Sequence, residues 1–454
     1  MIKNKIKYFF NNLKVLTKKS LKCLKFIPRF LKTTEKVVLG VLFVAIAIAA
    51  FFIWQNHWIK TTHEAPAFGG TLVEGIVGEA KDLDKHTARL TGAGLTRLEE
   101  NGDVKGDLAE GWEIKDDGKT YQFKIRSGYS ANDLLSQIQN KNTWSSIDMS
   151  APDDQTLVFK FKSPFSPFLY VSTEPLFNYG PYQITKEQKD QVTLTANKNY
   201  WQGSPYIQNI QINLYENKDL LTKAAKRGEI MGYLENSTNN VQMSNSQTFG
   251  YNLPRELNLF FNLSKADLQD INIRRALRDG KTPGKTLNLV LATSDSDKNE
   301  AEAQRLKDTW ATLGVNLEIK TYDNVALQKD IIPNRTYDLL LYGQDYGPDP
   351  DPYPFWHSSQ IGTAGANLAN FSNKPADKLL EDARQTFDFT VRDQKYKAFR
   401  DILADQVPYI NLEKTSVNYI VSNKVKDINK VFGFSEADRF LNVNQWYIKS
   451  KRVK

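Results

Sequence analysis

From Val37 to Trp54 the chain reads VVLGVLFVAIAIAAFFIW, eighteen residues without a charge. A run of that length crosses the hydrocarbon core of a bilayer as one helix. Its flanks orient it. Residues 1–36 carry eleven lysines and arginines against Glu35 alone, a local balance of +10. The positive-inside rule therefore places them in the cytoplasm and everything beyond Trp54 outside. A cleaved signal peptide is the rival, because Ala45-Ile46-Ala47 and Ala47-Ile48-Ala49 have the A-x-A form. Those triplets lie inside the apolar run, with Phe51, Phe52, Ile53 and Trp54 still to come, and the run exceeds an ordinary signal-peptide core. An uncleaved anchor is the expectation.

Ile2, Ile6, Phe9, Leu13 and Leu16 fall at helical spacing among lysines, ahead of Pro28. Either this is a helix lying on the anionic inner leaflet or it is a basic segment that only orients the anchor. The one cysteine, Cys23, belongs to the same segment, so the exported part has neither disulfide nor thiolate chemistry, and no cysteine follows the apolar run to accept a lipid. The net charge of +8 resides in residues 1–36; the rest of the 454-residue chain stands near −2, which argues against a nucleic-acid partner. Charged residues at 25% and hydrophobic residues at 41% are globular values, enough for two or more cores.

Residues 55–68 read as a polar tether, followed by a strand at Gly70–Ile76. Residues Leu108 to Gly128, LAEGWEIKDDGKTYQFKIRSG, are a β-hairpin by alternation. Trp112 and Ile114 share a face, Asp116-Asp117-Gly118 supplies the turn, and Tyr121, Phe123 and Ile125 alternate on the return. Further strands are expected at Gln155–Phe161, Val192–Ala196, Ile207–Tyr215 and Leu257–Leu263, with a helix from Lys218 ending near Gly228. After Gly284 the rhythm becomes β-α-β-α-β: Thr286–Ala292, a helix over Lys298–Leu313, Val315–Thr321, a short helix, then Tyr337–Tyr342. That order makes a parallel sheet with crossover helices. Helices around Pro375–Thr386 and Val391–Ala404 and strands at Tyr409–Leu412 and Val417–Val421 complete the chain. A β-rich section, an α/β insertion and a return imply two lobes with two crossings.

Few motifs carry chemistry. GKTPGKT, Gly280–Thr286, fails as a phosphate loop: three residues rather than four precede Gly284, and a strand follows where phosphate needs a helix N-terminus. His57, His63, His86 and His357 lack metal-ligand spacing, no nucleophile elbow is present, and Asn236-Ser-Thr is a sequon in form only. No enzyme, metal or cofactor is implied. The best site candidate is Leu339–His357, LLLYGQDYGPDPDPYPFWH. It leaves the C-terminal end of a parallel strand, where α/β ligands sit. It gathers Tyr342, Tyr346, Tyr353, Phe355 and Trp356 with Asp345, Asp349 and Asp351, stiffened by prolines at 348, 350, 352 and 354. A surface loop with solvated acids and packed rings fits these residues equally. Calcium is a weaker option, since the spacing of an EF-type loop is missing.

GGTLVEGIVGEAKDLD, the hairpin with its flanks, SAPDDQTLVFKFKSPFSPFLY, GPYQIT, LTANKNYWQGSPYIQNIQI with Asn199-Tyr200-Trp201, FFNLSKADLQDINIRRAL and YDLLLYGQDYGPDPDPYPFWHSS occur in an order that resembles the extracellular solute-binding proteins of the oligopeptide/dipeptide class, family 5. The likeness runs from Gly69 to about Asp427. It implies an α/β, two-lobe periplasmic-binding-protein-like (type II) fold with mixed sheets, here preceded by the single transmembrane helix read from the apolar run. The implied divisions are lobe 1 at 69–258, an inserted lobe 2 at 259–408 and a return at 409–454. It implies a membrane-anchored monomer that captures short peptides for an ABC importer whose permease and ATPase are separate chains. The family also includes nickel, haem and oligosaccharide binders, and a surface sensory or structural protein that kept the fold is the alternative. In such proteins an aspartate after the ligand-facing strand receives the peptide ammonium; Asp345 is the match, with Asp349 as substitute and Tyr342, Tyr346 and Trp356 as aromatic walls. Two stretches are shorter than in the family, around Ser127–Ala131 and between Leu277 and Thr286.

Overall fold

The computed structural model describes residues 32–79, 83–99, 103–139, 147–235, 243–347, 349, 351–428 and 433–454. The basic segment up to residue 31, the Asn236 sequon and the prolines at 348 and 350 lie outside these residues. The described residues form two compact units, one from residues 32–66 with Ser450–Lys454 and one from Ala67–Lys449.

In the first unit α1 spans Thr33–Thr61, and Val37, Phe43, Phe52 and Trp54 among others are exposed along it. Its 29 residues make a helix about 43 Å long at 1.5 Å per residue. By length and composition it can cross a bilayer. The polar tether expected over 55–68 is therefore corrected: helix continues through Thr61, and β1 (His63–Ala67) follows. Once the helix is nucleated, each further residue adds one backbone bond, and nothing in QNHWIKT breaks it.

The second unit is organised by a ten-stranded mixed sheet. From the first lobe come β2 (Thr71–Val77), β9 (Tyr182–Glu187), β10 (Gln191–Ala196), β11 (Asn209–Tyr215) and β12 (Gly232–Glu235). Among them lie α2 (Leu83–Thr91) and α3 (Lys218–Arg227), which Gly228 ends in the left-handed region at φ 72°. β3 (Thr96–Leu98) and β4 (Val104–Gly106) pair with each other, and a separate four-stranded antiparallel sheet holds β5 (Ala109–Lys115), β6 (Thr120–Ile125), β7 (Asp148–Asp153) and β8 (Thr156–Lys160). The hairpin pairs Trp112 with Phe123 and Ile114 with Tyr121. Tyr121, Phe123 and Ile125 are fully buried, and Phe168 stands edge-on to Tyr121 at 4.9 Å.

β13 runs sixteen residues, Ser246–Phe261, and carries the chain towards the second lobe. There β14 (Leu287–Ser294) lies parallel to both β15 (Val315–Tyr322) and β16 (Leu339–Asp345). Between β14 and β15, α4 (Asp297–Ala311) buries Ala303, Leu306 and Trp310. Helices α5 (Lys374–Arg384) and α6 (Phe389–Gln406) precede β17 (Tyr409–Ser422), which returns to the first lobe. The polar EKTS predicts two strands, but β17 is one: it pairs with β13 on both sides of a break, up to Lys414 and again from Ser416.

The β13–β17 ladder is continuous from Ser246 to Asn252, breaks, and resumes at Glu256 opposite Lys414. Pro254 sits in that break, where it has no N–H to give to a ladder. The two lobes are thus joined by a pair of strands with an irregularity at the same level. The lobes also touch elsewhere. The Ser166 N–H donates to the Arg384 carbonyl at 2.8 Å, and the Phe387 ring packs against Gly118, where a Cβ would lie 2.3 Å from it.

Separate hydrophobic cores lie around β2, β10, β11 and β17, around β5, β6 and β8, and on each face of the β13–β14–β16 region. In the first unit β18 (Lys449–Val453) pairs with β1. Arg452 donates from Nη2 to the carbonyls of Ile59 (2.9 Å) and Thr62 (2.8 Å) and lies over the Trp58 ring. Those carbonyls close the end of α1, where a cation is favoured.

Candidate ligand site at the junction of the lobes

Asp345 is the last residue of β16 and the register partner of Arg255 on β13. Its carboxylate is 46% exposed. Side chains alternate along a strand, so Asp345 shares a face with Gly343, both exposed, while Tyr342 and Gln344 point to the other side. The chain then turns back: the Gly347 N–H donates to Asp345 Oδ1 at 3.0 Å, with Gly347 at φ +69°, a conformation glycine adopts without strain. The Tyr346 N–H donates to the Pro254 carbonyl at 2.8 Å, which ties the end of β16 to the break in β13.

Arg255 reaches Asp345 Oδ2 with Nη2 at 3.0 Å and Nε at 3.2 Å. Its Nη1 lies 3.5 Å from Glu436 Oε1, and the other Glu436 oxygen lies 2.7 Å from Lys85 Nζ on α2. A row of four alternating charges therefore runs from the first lobe through the connecting strand to the second. Burial alone would raise the Glu436 carboxyl, but the Lys85 contact, with His86 and Arg255 nearby, holds it below its ordinary value.

Beside Glu436 is a cavity of about 90 Å³ lined by Gly75, Ile76 and Val77 at the end of β2 with His86, Leu234 and Arg439. Arg439 is fully buried, 4.1 Å from the Phe440 ring centre, with Nη2 3.4 Å from Glu74 Oε2. Its Nε has no hydrogen-bond partner among the described residues. Glu74, also fully buried, accepts from the Tyr419 hydroxyl at 2.6 Å. Burial pushes the Glu74 carboxyl up against the opposing pull of Arg439 and Tyr419. Gly232 makes this fit possible, since a Cβ there would stand 2.1 Å from Glu74 Oε1.

The other residues singled out by sequence have different surroundings. Trp356 is 2% exposed, packed among Phe260, Phe371 and Tyr409 in a core. Asp349 is buried, with both oxygens on Arg392 Nη2, the longer contact 2.6 Å. Asp351 accepts from Arg384 Nε at 2.8 Å. These two acids fasten the loop to α6 and α5. Tyr346 is partly buried, its hydroxyl donating to Gln344 at 3.1 Å and pushed up by burial. Tyr342 is half-buried, its hydroxyl 3.5 Å from Gln328. His357 stacks on Tyr353 at 4.1 Å and contacts Ser359 and Glu381. Among the described residues no group of three His, Cys, Asp or Glu side chains could hold a metal ion.

The structure thus brings Asp345 together with Arg255, Glu436 and Lys85, which sequence reasoning did not name. Only the charge of Arg255 beside Pro254, in a stretch not expected to be strand, hinted at it. Chemically this is a half-exposed carboxylate and a half-exposed guanidinium side by side, able to receive an ammonium and a carboxylate.

Residues 131–279 match the family model described as bacterial extracellular solute-binding proteins, family 5 middle. A probable D,D-dipeptide-binding periplasmic protein, DdpA of Escherichia coli (strain K12), is 22% identical over 71% of this chain and 82% of its own length. The oligopeptide-binding protein AppA of Bacillus subtilis (strain 168) is 21% identical over 90% of this chain and 97% of its own. The structure of Bacillus subtilis AppA in complex with a nonapeptide superposes with a TM-score of 0.65 at 18% identity, covering 85% of this chain and all of that one. The shared architecture is the type II periplasmic-binding fold.

Proposed function

Because the chain carries a family 5 extracellular solute-binding domain, we propose that it captures short peptides outside the membrane and delivers them to an ABC importer whose permease and ATPase are separate chains. The observation that carries this reading is the Asp345 carboxylate, half-exposed at the end of β16 where the connecting strands break. A carboxylate so placed accepts a peptide ammonium in a charge-assisted bond. The strand ends around it offer backbone groups to a peptide main chain, which gives tolerance of side chains.

In this reading residues 37–54 of α1 anchor the protein, with the basic segment in the cytoplasm and the binding domain outside. The second lobe is taken as 259–408, inserted between lobe 1 at 69–258 and the return at 409–454, and the domain works as a monomer. Closure of the lobes about β13 and β17 then encloses the ligand.

The full chain, purified in detergent, should release peptide on denaturation, identified by mass spectrometry, and should gain thermal stability with di- and tripeptides. A chain that is empty in repeated preparations and gains nothing from a peptide library supports the surface sensory or structural alternative and ends this proposal. Delivery is checked by uptake of labelled peptide, which should fall when the gene is deleted.

A further inference from the structure

We propose that the ribbon of β1 and β18 lies on the outer surface of the membrane and holds the phosphates of anionic lipid headgroups there through Lys60, Lys451 and Lys454. The inference rests on the reading of residues 37–54 as a membrane anchor. It adds a second contact with the bilayer, on the side away from the basic segment.

Height comes first. The uncharged run 37–54 makes about 27 Å of helix, close to a hydrocarbon core of about 30 Å. Beyond Trp54, α1 continues to Thr61, about 10 Å further. The headgroup layer is roughly 5–8 Å thick on each side, so a helix along the bilayer normal ends at the outer rim of that layer. Trp54 and Trp58, both exposed, stack with ring centres 6.3 Å apart on the stretch that crosses it, where indoles are favoured. β1 starts at His63, two residues past the helix. β18 is fastened at the same level. Arg452 donates from Nη2 to the Ile59 and Thr62 carbonyls and from Nε to Thr62 Oγ1 at 2.9 Å, with its guanidinium 5.4 Å from the Trp58 ring centre.

Charge comes second. Residues 55–66 and 450–454 carry Lys60, Lys451, Arg452 and Lys454 against Glu64 alone, and Glu64 accepts from the Ser450 hydroxyl at 2.6 Å. Lys60, Lys451 and Lys454 are exposed, and among the described residues none of them has an ion pair. Lys85, Lys218, Lys285, Lys298 and Lys378 of the second unit are each paired with a carboxylate. Alternation along β18 puts Lys451 on the face opposite Arg452, free of the helix end. An ammonium on a flexible stem suits a phosphate of no fixed orientation. A lysine near an anionic membrane surface is attracted within a Debye length, about 8–10 Å, and a ribbon that begins at the rim of the headgroups lies inside that distance. Zwitterionic headgroups offer no such net charge, so the surface selects anionic lipid.

Hydrogen exchange on the full chain tests this, in nanodiscs of phosphatidylcholine and in nanodiscs where phosphatidylglycerol replaces a third of it. Amides of residues 63–67 and 449–453 should exchange more slowly in the anionic discs, by roughly fivefold for each lysine engaged, and high salt should remove the difference. Lys451→Gln combined with Lys454→Gln should lose most of that difference while matching the parent in neutral discs, which shows the ribbon still folded. Lys451→Arg combined with Lys454→Arg should keep it. Equal exchange of the parent in both discs overturns the proposal. So does a lipid dependence undiminished in the glutamine variant, which the basic segment on the other side then causes. Equal slowing by glycerol phosphate in neutral discs also overturns it, since the lysines then serve a soluble anion. In each of these cases, protection of residues 37–54 in the discs leaves the anchor standing. Free exchange there removes the anchor and this proposal together.

Discussion

Arg255 and Asp345, ninety residues apart in sequence, are register partners at the junction of β13 and β16, and their side chains close the rung with a 3.0 Å ion pair. Both are substantially exposed. Such a pair contributes on the order of 0–1 kcal/mol to folding. It can therefore be exchanged for a ligand's charges without unfolding the junction, and this separates it from the buried pairs a few residues away.

Asp345→Ala should weaken binding of a free peptide by roughly thirty-fold or more, since an unpaired ammonium in a closed site costs on the order of 2–5 kcal/mol at about 1.4 kcal/mol per decade. Acetylating the peptide N-terminus should do the same to the parent and add little in the variant. Calorimetry on this two-by-two set decides the assignment, and equal affinity of free and acetylated peptide for the parent would sink it.

Asp349→Ala should behave differently. It strands the buried Arg392 charge, whose bonds to both Asp349 oxygens are made inside the second lobe. Breaking such a pair costs about 3–5 kcal/mol. Denaturant titration should show that loss, while peptide affinity per folded molecule stays near the parent's. A stable variant with abolished binding would instead move the ammonium site to Asp349.

Glu436 makes the first lobe's contribution to the charge row sensitive to acid. Its carboxyl lies below its ordinary value of 4.5 in the folded protein, so the stability it contributes is fully present above that pH and is lost as pH falls through the lower folded value. Chemical denaturation at pH 6 and below pH 4.5 should show Glu436→Gln less stable than the parent at the higher pH, with the gap narrowing in acid. A constant gap across that range would remove Glu436 from the row.

Arg452→Gln should loosen the end of α1. The arginine supplies bonds to the Ile59 and Thr62 carbonyls and to Thr62 Oγ1. A cation at a helix C-terminus contributes about 0.3–1 kcal/mol. Hydrogen exchange in micelles should quicken over residues 57–62, with residues near 45 unchanged.

The elements whose physics is local are legible in the chain alone. An uncharged run behind eleven basic residues and Glu35 makes the apolar helix; alternation makes the hairpin; and the β-α-β order with Gly314 after the helix makes the parallel sheet. It also put Asp345 at a strand's C-terminal end, because the run LLLYGQD is apolar until its last residues. The tertiary structure decided what surrounds that carboxylate. Arg255 lies beside a proline and Glu436 opens a short 3-10 helix, and neither has a local pattern that points to Asp345. Their meeting depends on which strands pair across ninety residues and more. The same long-range packing sent Trp356 into a core, gave Asp349 to Arg392 and kept the polar middle of β17 extended. Side-chain type alone distinguishes none of these fates, because a carboxylate or an indole acquires its role from the partners that the fold brings within a few ångströms.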